Sequence, residues 1–161
     1  MYVLAAVGGV FLLVCGGCVL GLVFLGVVSP DTSAYKRGWI PQRFLAAAEE
    51  VGGLEKGETV EFFYSDALLD VRDGFSYVSD RKVVVYSPVD TPPLIATPFD
   101  AIQDVTLERD KSFLIDSTII LETEDAFISF PVSREMNRDV EFYEAIRSRS
   151  PNLGQAQDAE R

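Results

Sequence analysis

The sequence predicts a mainly β (α+β) protein: an antiparallel β-barrel or sandwich with a C-terminal capping α-helix, carried on an N-terminal transmembrane helix. Three observations predict it. Met1 to Val28 contains no charged side chain. From Glu58 to Val132, short runs rich in Val, Ile, Phe and Tyr recur at intervals of about 8–12 residues, as antiparallel strands do. Beyond Ser133 the apolar residues change to a spacing of three and four, the period of a helix.

The first element, residues 1–28, is expected to cross a membrane. A bilayer core about 30 Å thick needs about 20 apolar residues in a helix, and this run exceeds that. A cleaved signal peptide would have a basic leader, a shorter apolar core and a small-x-small cleavage site. Here only Met1-Tyr2 precedes the run, and Ser29 is followed at once by Pro30, so the segment reads as an anchor. Lys36, Arg37 and Arg43 all follow the run and no Lys or Arg precedes it. The positive-inside rule therefore places the C-terminal domain in the cytoplasm and the chain in the cell membrane as a single-pass protein. Tyr35 and Trp39 fall where an interfacial aromatic belt belongs, so Lys36, Arg37, Trp39 and Arg43 are the expected membrane-interface residues.

Inside the anchor, Gly17 and Gly21 lie one helical turn apart, a spacing that lets two helices approach closely and form a homo-oligomer. Cys15 and Cys18 have CxxC spacing, but two ligands on one helix face do not complete a zinc site, and they read as packing residues. Lipidation at Cys18 is the alternative. Gly16 and Gly17 suit it; Cys15 and the missing basic leader do not.

Composition removes several function classes. Net charge is -11, with 14 basic against 25 acidic side chains, the reverse of what phosphate neutralisation requires, so no nucleic-acid partner is expected. There is no histidine, which removes His-based triads and His-ligated zinc sites. No metal and no cofactor is expected. Asp66, Asp70, Glu108, Asp110 and Asp116 are candidate catalytic acids, but no motif links them and no Gly-rich phosphate loop is present. The expectation is a protein that is not an enzyme.

Residues 29–54 read as a juxtamembrane linker with a short helix at Pro41–Val51, begun by Pro and ended by Gly52-Gly53. Phe44, Leu45 and Ala48 share one face, which lies either on the following sheet or on the membrane. Strands are expected around Val60–Tyr64, Ala67–Arg72, Phe75–Val78, Val83–Tyr86, Leu94–Thr97, Ile102–Leu107, Ile115–Glu122 and Phe127–Val132. Asp73-Gly74 is a hairpin-turn pair and Glu124-Asp125 a tight turn. Ser133 is the expected N-cap of the last helix, with Glu135 and Glu141 inside it and Pro151 beyond its end. Residues 151–161 are polar, without periodicity, and read as a disordered tail.

Two stretches carry a family resemblance. Asp73-Gly74-Phe75, leading to Ser79-Asp80-Arg81-Lys82 and Val83–Tyr86, resembles the turn and strand of bacterial pleckstrin-homology-like (PH-like) and GRAM-type domains. Thr97-Pro98-Phe99-Asp100-Ala101-Ile102 with Val105 is similar to a later segment of the same domains. The resemblance covers residues 55–148 and sets the domain at 55–150. It implies a binding or scaffolding module. Asp80 reads as a turn-stabilising acid, Ile102 and Val105 as inward anchors, and Phe142 and Ile146 as residues filling the barrel mouth.

Some PH domains hold phosphoinositides through a basic cluster in the first strand–loop–strand. Here that region, Phe62 to Tyr77, sets Asp66, Asp70 and Asp73 against only Arg72, so headgroup binding does not carry over. Arg81 and Lys82, with Arg109 and Lys111 on another turn, are the candidate binding residues; ordinary solvated surface is the competing reading. The expected function is contact with a protein or peptide partner at the membrane. A lipid-headgroup sensor and an accessory subunit of a membrane complex are the alternatives.

Overall fold

The computed structural model describes residues 33–67, 70–112 and 115–153. The expected transmembrane helix, with Gly17, Gly21 and both cysteines, lies outside those residues. Among the described residues no helix is long and apolar enough to cross a membrane.

The elements in order are β1 (Tyr35–Lys36), α1 (Gln42–Glu50), β2 (Val60–Tyr64), β3 (Phe75–Ser79), β4 (Lys82–Tyr86), β5 (Leu94–Pro98), β6 (Asp104–Glu108), β7 (Ser117–Glu122), β8 (Phe127–Val132) and α2 (Arg138–Arg147). They form one antiparallel sheet in the order β1-β2-β3-β4-β5 and a second in the order β6-β7-β8.

The inner faces of the two sheets, closed by α2, share one core. Phe62, Tyr64, Val78 and Val83 meet Ile119, Leu121, Phe130 and Val132, and Phe142 and Ile146 of α2 are fully buried among them. Ile102 and Val105 point into the same core, as expected of inward anchors. Aromatic contacts join the helix to both sheets, with Phe142 lying 5.9 Å from both Phe62 and Phe130 between ring centres. The ordered chain continues past α2: Leu153 packs against this core and the Asn152 amide donates to the Asp100 carbonyl at 2.6 Å.

The first sheet is buried on its other face too. Phe63, Phe75, Tyr77 and Val84 form a second cluster, covered by Phe44 and Ala48 of α1. This settles the two placements open to the apolar face of α1: it lies on the sheet. It also explains why Phe62-Phe63-Tyr64 and Val83-Val84-Val85 read as continuous apolar runs, since a strand covered on both faces has no polar side to alternate with. Residues 35–50, expected as linker and short helix, thus supply a sheet strand and its cover. A bulge in β2 between Val60 and Phe62 puts Val60 in the outer cluster and Phe62 in the inner one.

α1 ends as its glycines require. Gly52 has φ +78, a left-handed conformation, and the amides of Gly53 and Leu54 return to the Ala48 carbonyl at 2.9 and 3.1 Å.

Expected local features differ in two places. Asp73-Gly74 is not a two-residue hairpin turn. Among the described residues between β2 and β3 the expected strand at Ala67–Arg72 does not form; a 3-10 turn spans Val71–Asp73 instead, and Gly74 is extended at φ 167. At the other end, Ser133 does not cap α2. Its hydroxyl accepts from the Glu135 amide at 3.4 Å, ahead of a 3-10 turn at Glu135–Asn137. Met136 and Asn137 there have φ of 54 and 58, which breaks the chain direction, and α2 starts only at Arg138. Glu135 therefore lies before the helix, and Met136 is exposed rather than on its apolar face.

Candidate functional site

The candidate binding residues do not come together. Lys82 begins β4 opposite Pro98, at the end of the sheet where the chain leaves for β6. Arg109 lies beyond Glu108, at the far end of β6, and a five-residue strand spans about 16 Å. Arg81-Lys82 and Arg109-Lys111 therefore sit at opposite ends of the barrel.

Three of the four are also engaged by acids. The Lys82 ammonium is 2.7 Å from Glu55 and 3.5 Å from Glu58, and Arg81 is 3.5 Å from Glu55. The hydrogen bond and charge of Lys82 hold the Glu55 carboxyl below the ordinary carboxylate range. Arg109 grips Asp139 with two bonds of 2.7 Å, one from Nε and one from Nη2, and the Ser117 hydroxyl donates to the same carboxylate at 2.6 Å. Burial of Asp139 works against its ionisation, but the bonds from Arg109 and Ser117 outweigh it and hold the carboxyl below its ordinary value. Lys111 is exposed on the β6–β7 connection. Asp80 is structural: its carboxylate accepts from the Thr59 amide and its own amide donates to the Thr59 carbonyl, both at 2.9 Å.

Of the expected membrane-interface residues, Trp39 stands out at 81% exposed, on the turn between β1 and α1. Arg37 is exposed beside it, Arg43 lies 5.3 Å from the Phe44 ring centre, and the Lys36 ammonium is 3.6 Å from Glu141 and 5.7 Å from the Phe62 ring centre. Lys36 therefore joins β1 to α2.

The candidate catalytic acids are equally dispersed. Asp70 is held by Arg72, whose hydrogen bonds bring its carboxyl down to about 2. Asp110 caps the Ser112 amide at 2.7 Å, and Asp116 accepts the Tyr64 hydroxyl. Among the described residues no three acidic or sulfur side chains are grouped to hold a metal ion.

Among the described residues, concavities open on two sides of the sheets. A groove of about 680 Å³ runs along the free edge of β5, from Ile95 to Pro98, and is closed by the β7–β8 turn and Ile128. β5 is hydrogen-bonded to β4 on one side only. A smaller pocket of about 190 Å³ opens at the other end of the barrel, among Asp66, Asp73–Ser76, the β4–β5 loop and Ser129–Pro131 of β8. Composition hints at the pocket through the surplus of aspartates in residues 66–73. Nothing local in the sequence marks the groove, because an edge strand is identified by the neighbour it lacks.

A four-stranded meander, β2 to β5, facing a three-stranded one, β6 to β8, with a single C-terminal helix against the open end, defines a PH-like domain. In accord with this, the chain is similar to a DUF1696-family protein with a pleckstrin-homology domain from Shewanella loihica. The two are 12% identical over 74% of this chain and 99% of that one, with a TM-score of 0.51. A pleckstrin-homology domain from Shewanella amazonensis is 14% identical over 74% of this chain and 98% of its own, with a TM-score of 0.42. No family model and no curated protein matches the sequence. The likeness is one of fold, and the fold is PH-like.

Proposed function

We propose that the chain is a non-catalytic, membrane-anchored binding module whose PH-like domain takes an extended segment of a protein partner along the free edge of β5. The observation that carries this reading is the edge itself. The outer backbone groups of Ile95 to Pro98 face a groove of about 680 Å³, deep enough for side chains on an added strand. An uncovered edge readily accepts a further strand. Pro98, which has no amide to donate, limits that pairing to the first part of β5.

Chemistry favours a peptide over an anionic headgroup. Arg81, Lys82 and Arg109 already face carboxylates, so a phosphate would have to displace an existing ion pair. The apolar run 1–28 supplies attachment to the membrane, with the domain in the cytoplasm and Gly17 and Gly21 available for pairing of anchors. Tethering raises the effective concentration toward other membrane proteins, so modest affinity suffices.

A random-peptide selection on the full chain tests the reading, with amide hydrogen exchange as the readout. Selected peptides should slow exchange in residues 94–97. Peptides that bind tightly and leave β5 unchanged would refute the edge assignment.

A further inference from the structure

We infer that the pocket at the loop end of the barrel is a receptor for a guanidinium group, an arginine side chain of the partner segment. The inference rests on the peptide-binding reading above and adds the chemistry of one contact.

The charge pattern is the first observation. Asp66, Asp73 and Asp90 line the pocket, and none of them belongs to an ion pair among the described residues. Of the acids elsewhere, Glu50, Glu55, Glu58, Glu61, Asp70, Asp139 and Glu141 each face a Lys or Arg, so Asp66, Asp73 and Asp90 differ from these seven. Arg72, the cation in the same connection, is engaged by Asp70 at 2.6 Å and Glu50 at 3.8 Å. Like charges left together repel one another, and a bound cation would relieve that repulsion.

A buried hydroxyl is the second observation, independent of the carboxylates. Ser76 lines the pocket at 3% exposed, and its Oγ has no hydrogen-bond partner. An unmet buried polar group costs about 1–3 kcal/mol, which a ligand N–H would recover.

Gly74 is the third. A Cβ there would stand 2.8 Å from Asp66 Oδ1, so glycine is what lets that carboxylate rest over the pocket. The Ser65 hydroxyl donates to the Gly74 carbonyl at 2.7 Å and holds the two ends of the connection together.

The acids do not converge on one point as metal ligands must. Separated acceptors suit a planar cation with five donors, and a pocket of about 190 Å³ admits one such head and its stem. β8 lines both concavities, Ile128 the groove and Ser129 to Pro131 the pocket, so one extended segment on β5 reaches the pocket with its end.

The test uses the full chain, a labelled hexaarginine peptide and its uncharged hexacitrulline counterpart at physiological salt. Hexaarginine should bind at least ten-fold tighter. The variant Asp66→Asn/Asp73→Asn/Asp90→Asn should lose at least ten-fold, while Asp104→Asn/Glu108→Gln/Glu144→Gln, with the same charge change elsewhere, should stay within two-fold. Gly74→Ala should weaken binding while leaving the unfolding transition in place. Equal losses in the two triple variants would reveal only attraction to an acidic protein and overturn the site. Equal binding of hexalysine would overturn the guanidinium assignment. If the pocket fails while selected peptides still protect β5, the edge reading stands without it; if β5 is never protected, the edge reading fails by itself.

Discussion

Arg109 and Asp139 are separated by 30 residues and joined by two hydrogen bonds of 2.7 Å, tying the end of β6 to the first turn of α2. Asp139 is wholly buried, whereas Arg109 keeps 37% of its side chain in contact with solvent. Losing either partner is therefore not symmetric. Arg109→Ala strands a buried carboxylate and should cost about 3 kcal/mol. Asp139→Asn leaves a guanidinium that water can reach and should cost less, about 2 kcal/mol. Urea unfolding of the full chain compares them, and the reverse order would contradict this assignment.

The same pair sets a pH dependence. The folded Asp139 carboxyl sits below its ordinary value, so its contribution is complete above the unfolded pKa of about 3.9 and is lost as pH falls through the lower folded value. The stability gap between the wild type and Arg109→Ala should be full at neutral pH and should shrink between neutral pH and about 3, starting where the carboxyl stranded in the variant, its pKa raised by burial, takes up its proton. Urea midpoints of both proteins across that range check it. A gap that widens in acid would refute the linkage.

α1 should stabilise the fold as part of the core. Phe44 is 3% exposed and lies 5.2 Å from Phe63 and 5.6 Å from Tyr35 between ring centres. Phe44→Ala should cost about 3 kcal/mol, the usual loss for a buried aromatic. A cost of a few tenths, read from thermal or urea unfolding, would mean that α1 is not held on the sheet in solution.

Trp39 is the one tryptophan of the chain and is 81% exposed in the domain, so it reports on its surroundings without substitution. In bilayers its emission should move to the blue and be quenched by lipids brominated near the headgroup, as for an interfacial aromatic. Emission unchanged from that of a water-exposed indole would remove Trp39 from the membrane interface.

Inositol trisphosphate should give no saturable change in the amide spectrum of Arg81, Lys82, Arg109 or Lys111. Saturable shifts that disappear in Arg81→Ala/Lys82→Ala would favour a lipid-headgroup sensor.

The strands were legible because each is short, β-branched or aromatic, and bounded by turn residues. The order of motifs around Asp80 and Pro98 carried the PH-like resemblance. The double burial of the first sheet was written into Phe62-Phe63-Tyr64 as a failure to alternate, but it has meaning only once α1 is known to lie opposite. The start of α2 is not legible in the sequence, because Met136 and Asn137 adopt positive φ, which no propensity of methionine announces. The split of Arg81-Lys82 from Arg109-Lys111 follows from strand direction and pairing, which residue spacing does not contain.

Covering the first sheet from both sides has a consequence for how the chain is made. α1 precedes β2, β3, β4 and β5 in the sequence, so a newly synthesised sheet finds its outer cover already available when Tyr86 leaves the ribosome. Its inner face has to wait for β6 to β8 and α2, roughly sixty residues later, or about 3–12 s at ordinary synthesis rates. During that interval Phe62, Val78 and Val83 form a one-sided adhesive surface on a nascent chain. The vulnerable period in the biogenesis of this protein is therefore the interval between β4 and α2, and it is against that single face that a ribosome-associated chaperone would be needed.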